Sequence, residues 1–189
     1  MIKPAYIALT VGAAYAAFYL RKVSAKGARV TIVGDSLSLL PGGWQDILAK
    51  KYGWTVNNIS KVGQTSAAGL SRFNLISDPG DIVFIFLGAN DSYSGVNKAF
   101  TLDNIRSIQS LAKSKGARTV IIPGYLSSKV TNSAQGKRYD DLKESMYWLP
   151  GIVVPLLRSI DPSDIPDGVH LTKSGQAQLA KLIDAWSLR

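Results

Sequence analysis

The chain has 189 residues, of which 46% are hydrophobic and 19% charged, as is typical of a globular protein with a packed core. One histidine and no cysteine exclude disulfide bonds, thiolate chemistry, and metal sites built on cysteines or on several histidines. The net charge is +9, and five of these charges lie within residues 1–29, which contain no acidic residue. This pattern favours a membrane flank over a nucleic-acid-binding face, and we expect no nucleic-acid partner.

The first stretch of the chain is apolar. Residues 4–20, PAYIALTVGAAYAAFYL, carry no charge and reach the shortest length at which a helix crosses a bilayer. We therefore predict an N-terminal transmembrane anchor over residues 1–22, with residues 4–20 in the lipid. Ala8, Gly12 and Ala16 recur every fourth residue, a spacing that lets a partner helix approach closely.

The basic residues around this span bear on its orientation and on its alternatives. Four follow it and one precedes it, which by the positive-inside rule puts the rest of the chain on the cytoplasmic side; a virion or envelope membrane would follow other rules. A cleaved signal peptide is the main alternative, because Ala14-Tyr15-Ala16 resembles a cleavage site. Against it, the apolar run continues to Leu20 and directly into Arg21. A buried helix is the third alternative.

Residues 23–29 are predicted to be a linker, and residues 30–189 to be one α/β domain without internal repeats. Apolar, β-branched runs predict five strands, at residues 30–33, 54–60, 81–87, 119–122 and 152–156. Helical apolar spacing predicts helices between and after them, at residues 44–51, 66–75, 102–112, around 142–146, and 179–186. Residues 127–138 are predicted to be a polar, basic loop. The alternation predicts a three-layer α/β/α sandwich with a parallel, doubly wound sheet.

Polar residues follow several of these strands. Ser36 comes just after the first strand, with a helix expected behind it, and Gly63 and Asn90 follow the second and third. Asp167 and His170 precede the last helix. Because the carboxyl ends of parallel strands share one edge of a sheet, where ligands bind, these residues are expected to meet there.

Together these residue types fit nucleophilic catalysis. A serine hydroxyl needs a neighbouring base, which His170 can provide, and Asp167 can fix the tautomer of the imidazole. The backbone N–H groups of Ser36 and Gly63 and the amide of Asn90 can bind an oxyanion, and a glycine at 63 is expected to permit close backbone approach. Each residue alone also has a structural interpretation, such as a helix cap or a turn.

Three short motifs in the sequence resemble those of a known enzyme family. Residues 34–37 read Gly-Asp-Ser-Leu, residues 88–91 Gly-Ala-Asn-Asp, and residues 167–170 Asp-Gly-Val-His, with Gly63 between the first two. Their order resembles the SGNH hydrolases, also called GDSL-type esterases, over residues 30–189. The resemblance implies a flavodoxin-like sheet and metal-free ester hydrolysis with Ser36 as nucleophile, and it implies no cofactor.

Asp35 and Asp91 belong to these motifs, and we expect them to brace loops rather than to take a chemical step. No Gly-x-Ser-x-Gly motif is present, which argues against an α/β-hydrolase elbow.

The sequence therefore predicts a membrane-anchored serine esterase. The chain has few long insertions that could build an acyl tunnel, so we expect a small acyl group, such as acetyl, on a glycan, cell-wall or lipid substrate. The alternative is a non-enzymatic membrane or virion-associated protein that keeps this fold for attachment or glycan binding.

Overall fold

The structure is a computed structural model that describes residues 25–124, 133–155 and 160–188. The predicted anchor, residues 1–22 with its apolar span 4–20, lies outside the described residues. None of the helices in the described ranges combines the length and hydropathy that a membrane span requires.

Five parallel strands form one sheet in the order β2-β1-β3-β4-β5, which is the flavodoxin-like order. The strands are β1 (Arg29–Gly34), β2 (Thr55–Asn58), β3 (Ile82–Phe86), β4 (Arg118–Ile121) and β5 (Ile152–Val153). The predicted five-stranded α/β sheet is thus confirmed. Strand β3 is buried along its whole length, as expected for a central parallel strand covered on both faces.

Six α-helices are described, and they pack on the two faces of the sheet. They are α1 (Trp44–Tyr52), α2 (Ser66–Phe73), α3 (Ala89–Tyr93), α4 (Lys98–Ser114), α5 (Ala134–Met146) and α6 (Lys173–Ser187). Side-chain oxygens of Thr65, Ser133 and Thr172 accept from backbone N–H groups in the first turns of α2, α5 and α6 and so fix where these helices begin.

The alternation of side chains along β3 separates two hydrophobic clusters. Ile82, Phe84 and Phe86 face one side of the sheet, and Val83 and Ile85 face the other. The first cluster is completed by α1 and α6, and the second by α2, α4 and α5. Their partners on these helices are Trp44, Leu48, Leu179 and Ile183 on one side, and Phe73, Ile105, Ile108, Leu142 and Met146 on the other. This is the predicted three-layer sandwich.

The structure corrects several local predictions. A single 3₁₀ turn, Ser36–Ser38, follows β1 in place of the expected helix. The Pro-Gly-Gly sequence at residues 41–43 prevents this turn from continuing as a helix into α1. Residues 134–138 belong to α5 rather than to a loop, because the Ser133 cap starts a helix there. At the amino-terminal end, Ala25 and Ala28 of the predicted linker are buried in the core.

Candidate active site

The site starts at the carboxyl end of β1, where the chain turns. Asp35 caps the 3₁₀ turn, with its Oδ1 accepting from the Leu37 N–H at 3.0 Å. This cap turns the chain so that Ser36, half-buried, stands at the carboxyl edge of the sheet. The Ser36 Oγ lies 3.0 Å from the His170 Nε2, which comes from the loop before α6.

That loop holds its own imidazole in place. The Asp167 Oδ1 accepts from the N–H groups of Val169 and His170, at 2.9 and 2.7 Å. Its Oδ2 lies 2.6 Å from the His170 Nδ1. Because an ionised carboxylate only accepts hydrogen bonds, Nδ1 carries the ring proton, and the neutral ring offers Nε2 to the Ser36 hydroxyl.

The charge on Asp167 is secured by the same contacts. Partial burial by itself would raise the pKa of this carboxyl, but the hydrogen bonds from the His170 and Val169 N–H groups and from the His170 ring outweigh it and lower the pKa to about 2. These hydrogen bonds therefore favour the ionised form of Asp167.

Asn90, at the start of α3, joins the first and second strand ends. Its Nδ2 donates to the Asp35 Oδ2 at 3.1 Å and to the Gln64 carbonyl at 3.2 Å. Gly63 precedes Gln64, so the loop that carries Gly63 is tied to the turn that carries Ser36. The three predicted oxyanion donors thus belong to one hydrogen-bonded unit.

The backbone conformation gives a further reason for glycine at position 63. A Cβ there would meet no other atom of the described residues within 4 Å. The backbone has φ +70°, a left-handed conformation that favours glycine over residues with a side chain.

Asp35 is 1% exposed. Burial raises its pKa to about 6, although the Leu37 N–H and the nearby His170 act in the opposite direction. The acceptor of the Asn90 amide is therefore a carboxyl that titrates close to neutrality.

A second motif aspartate, Asp91, braces the neighbouring helices, as expected. Its carboxylate accepts from the Ser66 N–H at 2.8 Å and from the Ser66 hydroxyl at 2.5 Å, at the start of α2. It also accepts from the Thr101 hydroxyl of α4 at 3.2 Å. Asn90, next to Asp91 in the chain, is thereby fixed between buried helix ends.

An apolar cleft of about 300 Å³ opens beside the reacting atoms. Ser36, His170 and Gln176 supply its polar lining. The apolar lining comes from Leu37, Leu39, Leu40, Pro41, Val62 and Leu171. The cleft can hold a small hydrophobic group next to the Ser36 hydroxyl.

Within the described ranges, no group of three or more histidines, aspartates or glutamates is arranged to hold a metal ion.

A hydroxyl, an imidazole and a carboxylate bonded in series are the arrangement that serine hydrolases use, and here they lie at the carboxyl edge of a parallel sheet. The chain belongs to the GDSL-like lipase/acylhydrolase family, whose model matches residues 25–178. This confirms the resemblance to SGNH hydrolases.

Two curated relatives agree with this assignment. Esterase TesA from Pseudomonas aeruginosa is 34% identical over 103 residues, which cover 48% of this chain and 51% of the relative. This match thus spans about half the length of that relative. An arylesterase from Vibrio mimicus is 31% identical over 147 residues, which cover 69% of this chain and 68% of the arylesterase.

Solved structures show the same fold at lower identity. The crystal structure of TesA has a TM-score of 0.64 at 23% identity, covering 82% of this chain and 95% of TesA. The crystal structure of Axe2, an acetylxylan esterase from Geobacillus stearothermophilus, has a TM-score of 0.66 at 16% identity, covering 89% of this chain and 99% of Axe2.

The sequence analysis did not predict that Gln64 contacts the site, and it did not identify most of the residues that line the cleft. Gln64 carries no charge and lies in a loop next to a glycine, so no periodicity or motif marks it. Val62, Leu39 and Pro41 line the cleft only because the fold brings two loops together.

Proposed function

We propose that the protein hydrolyses carboxylic esters with Ser36 as nucleophile, His170 as general base and Asp167 as the group that orients the imidazole. The observation that carries this proposal is the unbroken chain of contacts, 3.0 Å from Ser36 Oγ to His170 Nε2 and 2.6 Å from His170 Nδ1 to Asp167 Oδ2. Both distances lie within the range expected for a nucleophile and its base.

The reaction has two halves. His170 Nε2 takes the Ser36 proton as Oγ attacks the ester carbonyl, and Asp167 stabilises the imidazolium that forms. The imidazolium then gives its proton to the leaving alcohol, which leaves an acyl group on Ser36. In the second half, His170 Nε2 takes a proton from water as the water oxygen attacks the acyl carbonyl, and the imidazolium gives that proton to the Ser36 Oγ as the acid leaves.

The oxyanion of each tetrahedral intermediate is proposed to bind the N–H groups of Ser36 and Gly63 and the Asn90 amide. The hydrogen bonds from Asn90 to Asp35 and Gln64 support this role, because they hold the amide between the other two donors. An oxyanion that binds Asn90 shares or replaces one of these bonds. Preorganised donors of this kind contribute about 10²- to 10³-fold to kcat each.

The substrate is proposed to carry a small acyl group, with acetyl as the first choice, on a glycan, cell-wall or lipid alcohol. The cleft supports this size, because about 300 Å³ is at the small end of ligand sites. Its leucine, proline and valine lining suits an alkyl group beside the reacting carbonyl.

The test is hydrolysis of p-nitrophenyl esters from two to twelve carbons by the wild type and by Ser36→Ala and His170→Ala. We expect wild-type kcat/KM to be highest for short acyl groups and both variants to lose activity. Activity retained in Ser36→Ala contradicts the mechanism, and a maximum at ten carbons or more contradicts the small acyl group. A wild type inert towards every ester favours the attachment or glycan-binding role.

We further propose that residues 4–20 anchor the domain in a membrane, with Ala8, Gly12 and Ala16 available to a partner helix. The uncharged run and its basic flank support this proposal. Strand β1 runs over six residues from Arg29 to Gly34, about 20 Å of strand, and Ser36 lies just beyond its carboxyl end. An anchor before β1 therefore favours a cleft that faces away from the bilayer.

Alkaline carbonate extraction of the full chain tests the anchor. An anchored protein stays in the membrane pellet at its full mass, whereas a cleaved signal peptide yields a shorter, extractable product. Protease protection of the same membranes then reports the side on which the domain lies, which the charge rule predicts to be cytoplasmic.

A further inference from the structure

One buried glutamine, Gln64, is bonded to Asn90 and to Gly34 and directly follows Gly63, so it is linked to each part of the proposed oxyanion hole. Gln64 is 4% exposed, and its Nε2 donates to the Gly34 carbonyl at 2.7 Å, two residues before Ser36. Its own carbonyl accepts from the Asn90 Nδ2 at 3.2 Å, and it directly follows Gly63. Gln64 takes no part in the proposed proton transfers.

The turn that contains Gly63 depends on the same carbonyl. The Gln64 N–H donates to the Lys61 carbonyl at 3.1 Å, and the Lys61 N–H donates to the Gly34 carbonyl at 3.3 Å. The Gly34 oxygen thus accepts one backbone and one side-chain hydrogen bond from the turn. The shorter of the two comes from Gln64, so the side chain holds the turn against the end of β1.

We infer that Gln64 is a positioning residue of the oxyanion hole. Its side-chain amide sets the distance between the Gly63 turn and the end of β1 that leads to Ser36, and its backbone carbonyl orients the Asn90 amide. It acts through these donors and touches no substrate. The inference rests on the proposed function, because it assumes that the three donors bind an oxyanion.

The chain offers a matched control. Gln109 is 7% exposed, and its Nε2 donates to the Pro150 carbonyl at 2.5 Å. The Oε1 atoms of both glutamines lack a hydrogen-bond partner among the described residues. Gln109 also lies near Thr119 at the start of β4, whereas the site is at the carboxyl ends of the strands. The two residues share one kind of hydrogen bond and differ in their distance from the site.

The experiment compares Gln64→Met with Gln109→Met in the full chain, since methionine keeps the length of the side chain and removes the donor. Unfolding midpoints, kcat and KM on a short p-nitrophenyl ester are measured, with rates normalised by active-site titration. Both variants are expected to lose similar stability. Only Gln64→Met is expected to lose kcat, by about 10- to 100-fold with KM changed less than about threefold, since the transition state alone uses the donors.

Equal kcat per active site in the two variants overturns the inference, because Gln64 would then serve stability alone. If the wild type hydrolyses no ester, the proposed function fails, and crystal structures of the wild type and Gln64→Met decide the inference instead. A shift of the Gly63 N and Asn90 Nδ2 relative to the Ser36 Oγ supports it, and superimposable positions overturn it.

Discussion

The two sides of the site are built differently. The nucleophile turn is held by buried groups, with Asp35 1% exposed and bonded to Asn90 from another strand end. The acid–base loop is open, with the side chains of Asp167 and His170 both 54% exposed. Burial raises the pKa of Asp35 to about 6, whereas hydrogen bonds that outweigh partial burial lower that of Asp167 to about 2.

This difference shows two ways to place a reactive side chain. Ser36 is positioned by the sheet and by contacts between distant parts of the chain. His170 is positioned by its own loop, because Asp167, three residues away, bonds both the His170 N–H and its ring. Changes to the groups that hold the nucleophile turn should therefore affect both stability and rate, and changes to the Ser36 hydroxyl or to the acid–base loop mainly rate.

The largest effect is expected for Ser36→Ala. Removal of the nucleophile should lower kcat by about 10⁴-fold or more, with little change in the unfolding midpoint, since among the described residues the hydroxyl is hydrogen-bonded only to the exposed imidazole. Ester hydrolysis and thermal unfolding measure the two effects. Ser38→Ala is the control in the same turn, because the Ser38 Oγ has no hydrogen-bond partner in the described part of the chain. Equal losses of kcat in both variants would refute the role of Ser36.

The second largest effect is expected for Asp167→Asn. It removes the charge that stabilises the imidazolium and should lower kcat by about 10³- to 10⁴-fold, with the fold intact because the loop is exposed. Asp161→Asn is the matched control, since Asp161 bonds Ser163 in the same exposed loop and does not touch His170. If both variants keep wild-type kcat, the open side of the site does not contribute to catalysis as described.

Asn90→Ala should combine both kinds of loss. We expect kcat to fall by about 10²- to 10³-fold because an oxyanion donor is lost. Stability should fall by about 1–3 kcal/mol because the buried Asp35 loses a hydrogen-bond donor. Asn97→Ala removes only the cap of α4 and is the control for stability loss without rate loss. A rate loss in Asn90→Ala no larger than in Asn97→Ala would remove Asn90 from the oxyanion hole.

The smallest effect concerns pH. The pKa of Asp35 is raised from 3.8 to about 6 on folding, so the folded protein binds this proton more tightly than the unfolded chain. The ionised carboxylate therefore costs stability above pH 6, and this cost is relieved as the pH falls towards 3.8. Between pH 8 and pH 5, the wild type should gain about 1 kcal/mol relative to Asp35→Asn.

Urea unfolding of both proteins at the two pH values measures this difference, because groups that titrate identically in both proteins cancel. If the wild type instead loses stability relative to Asp35→Asn when the pH is lowered, burial does not raise the pKa of the Asp35 carboxyl.

The sequence predicted the sheet and the reacting residues for physical reasons. The run at residues 82–86 is apolar on both faces, which only a central parallel strand needs, and the strand ends then converge by topology. The local spacing of Asp167 and His170 was enough to predict their contact, because it is made within one loop.

What could not be predicted depends on contacts between loops. Gln64 is buried only because the Gly63 turn folds back on Gly34, and an uncharged amide has no pattern that reports this. The early start of α5 at Ala134 follows from the Ser133 cap, whose effect competes with the propensities of the neighbouring residues.

The most direct measurement is covalent labelling by a fluorophosphonate, followed by peptide mass mapping of the full chain. The hydrogen-bonded contact between Ser36 and His170 predicts one adduct, on Ser36, and its absence in both Ser36→Ala and His170→Ala. A labelled serine elsewhere, or unchanged labelling of Ser36 in His170→Ala, would contradict the account.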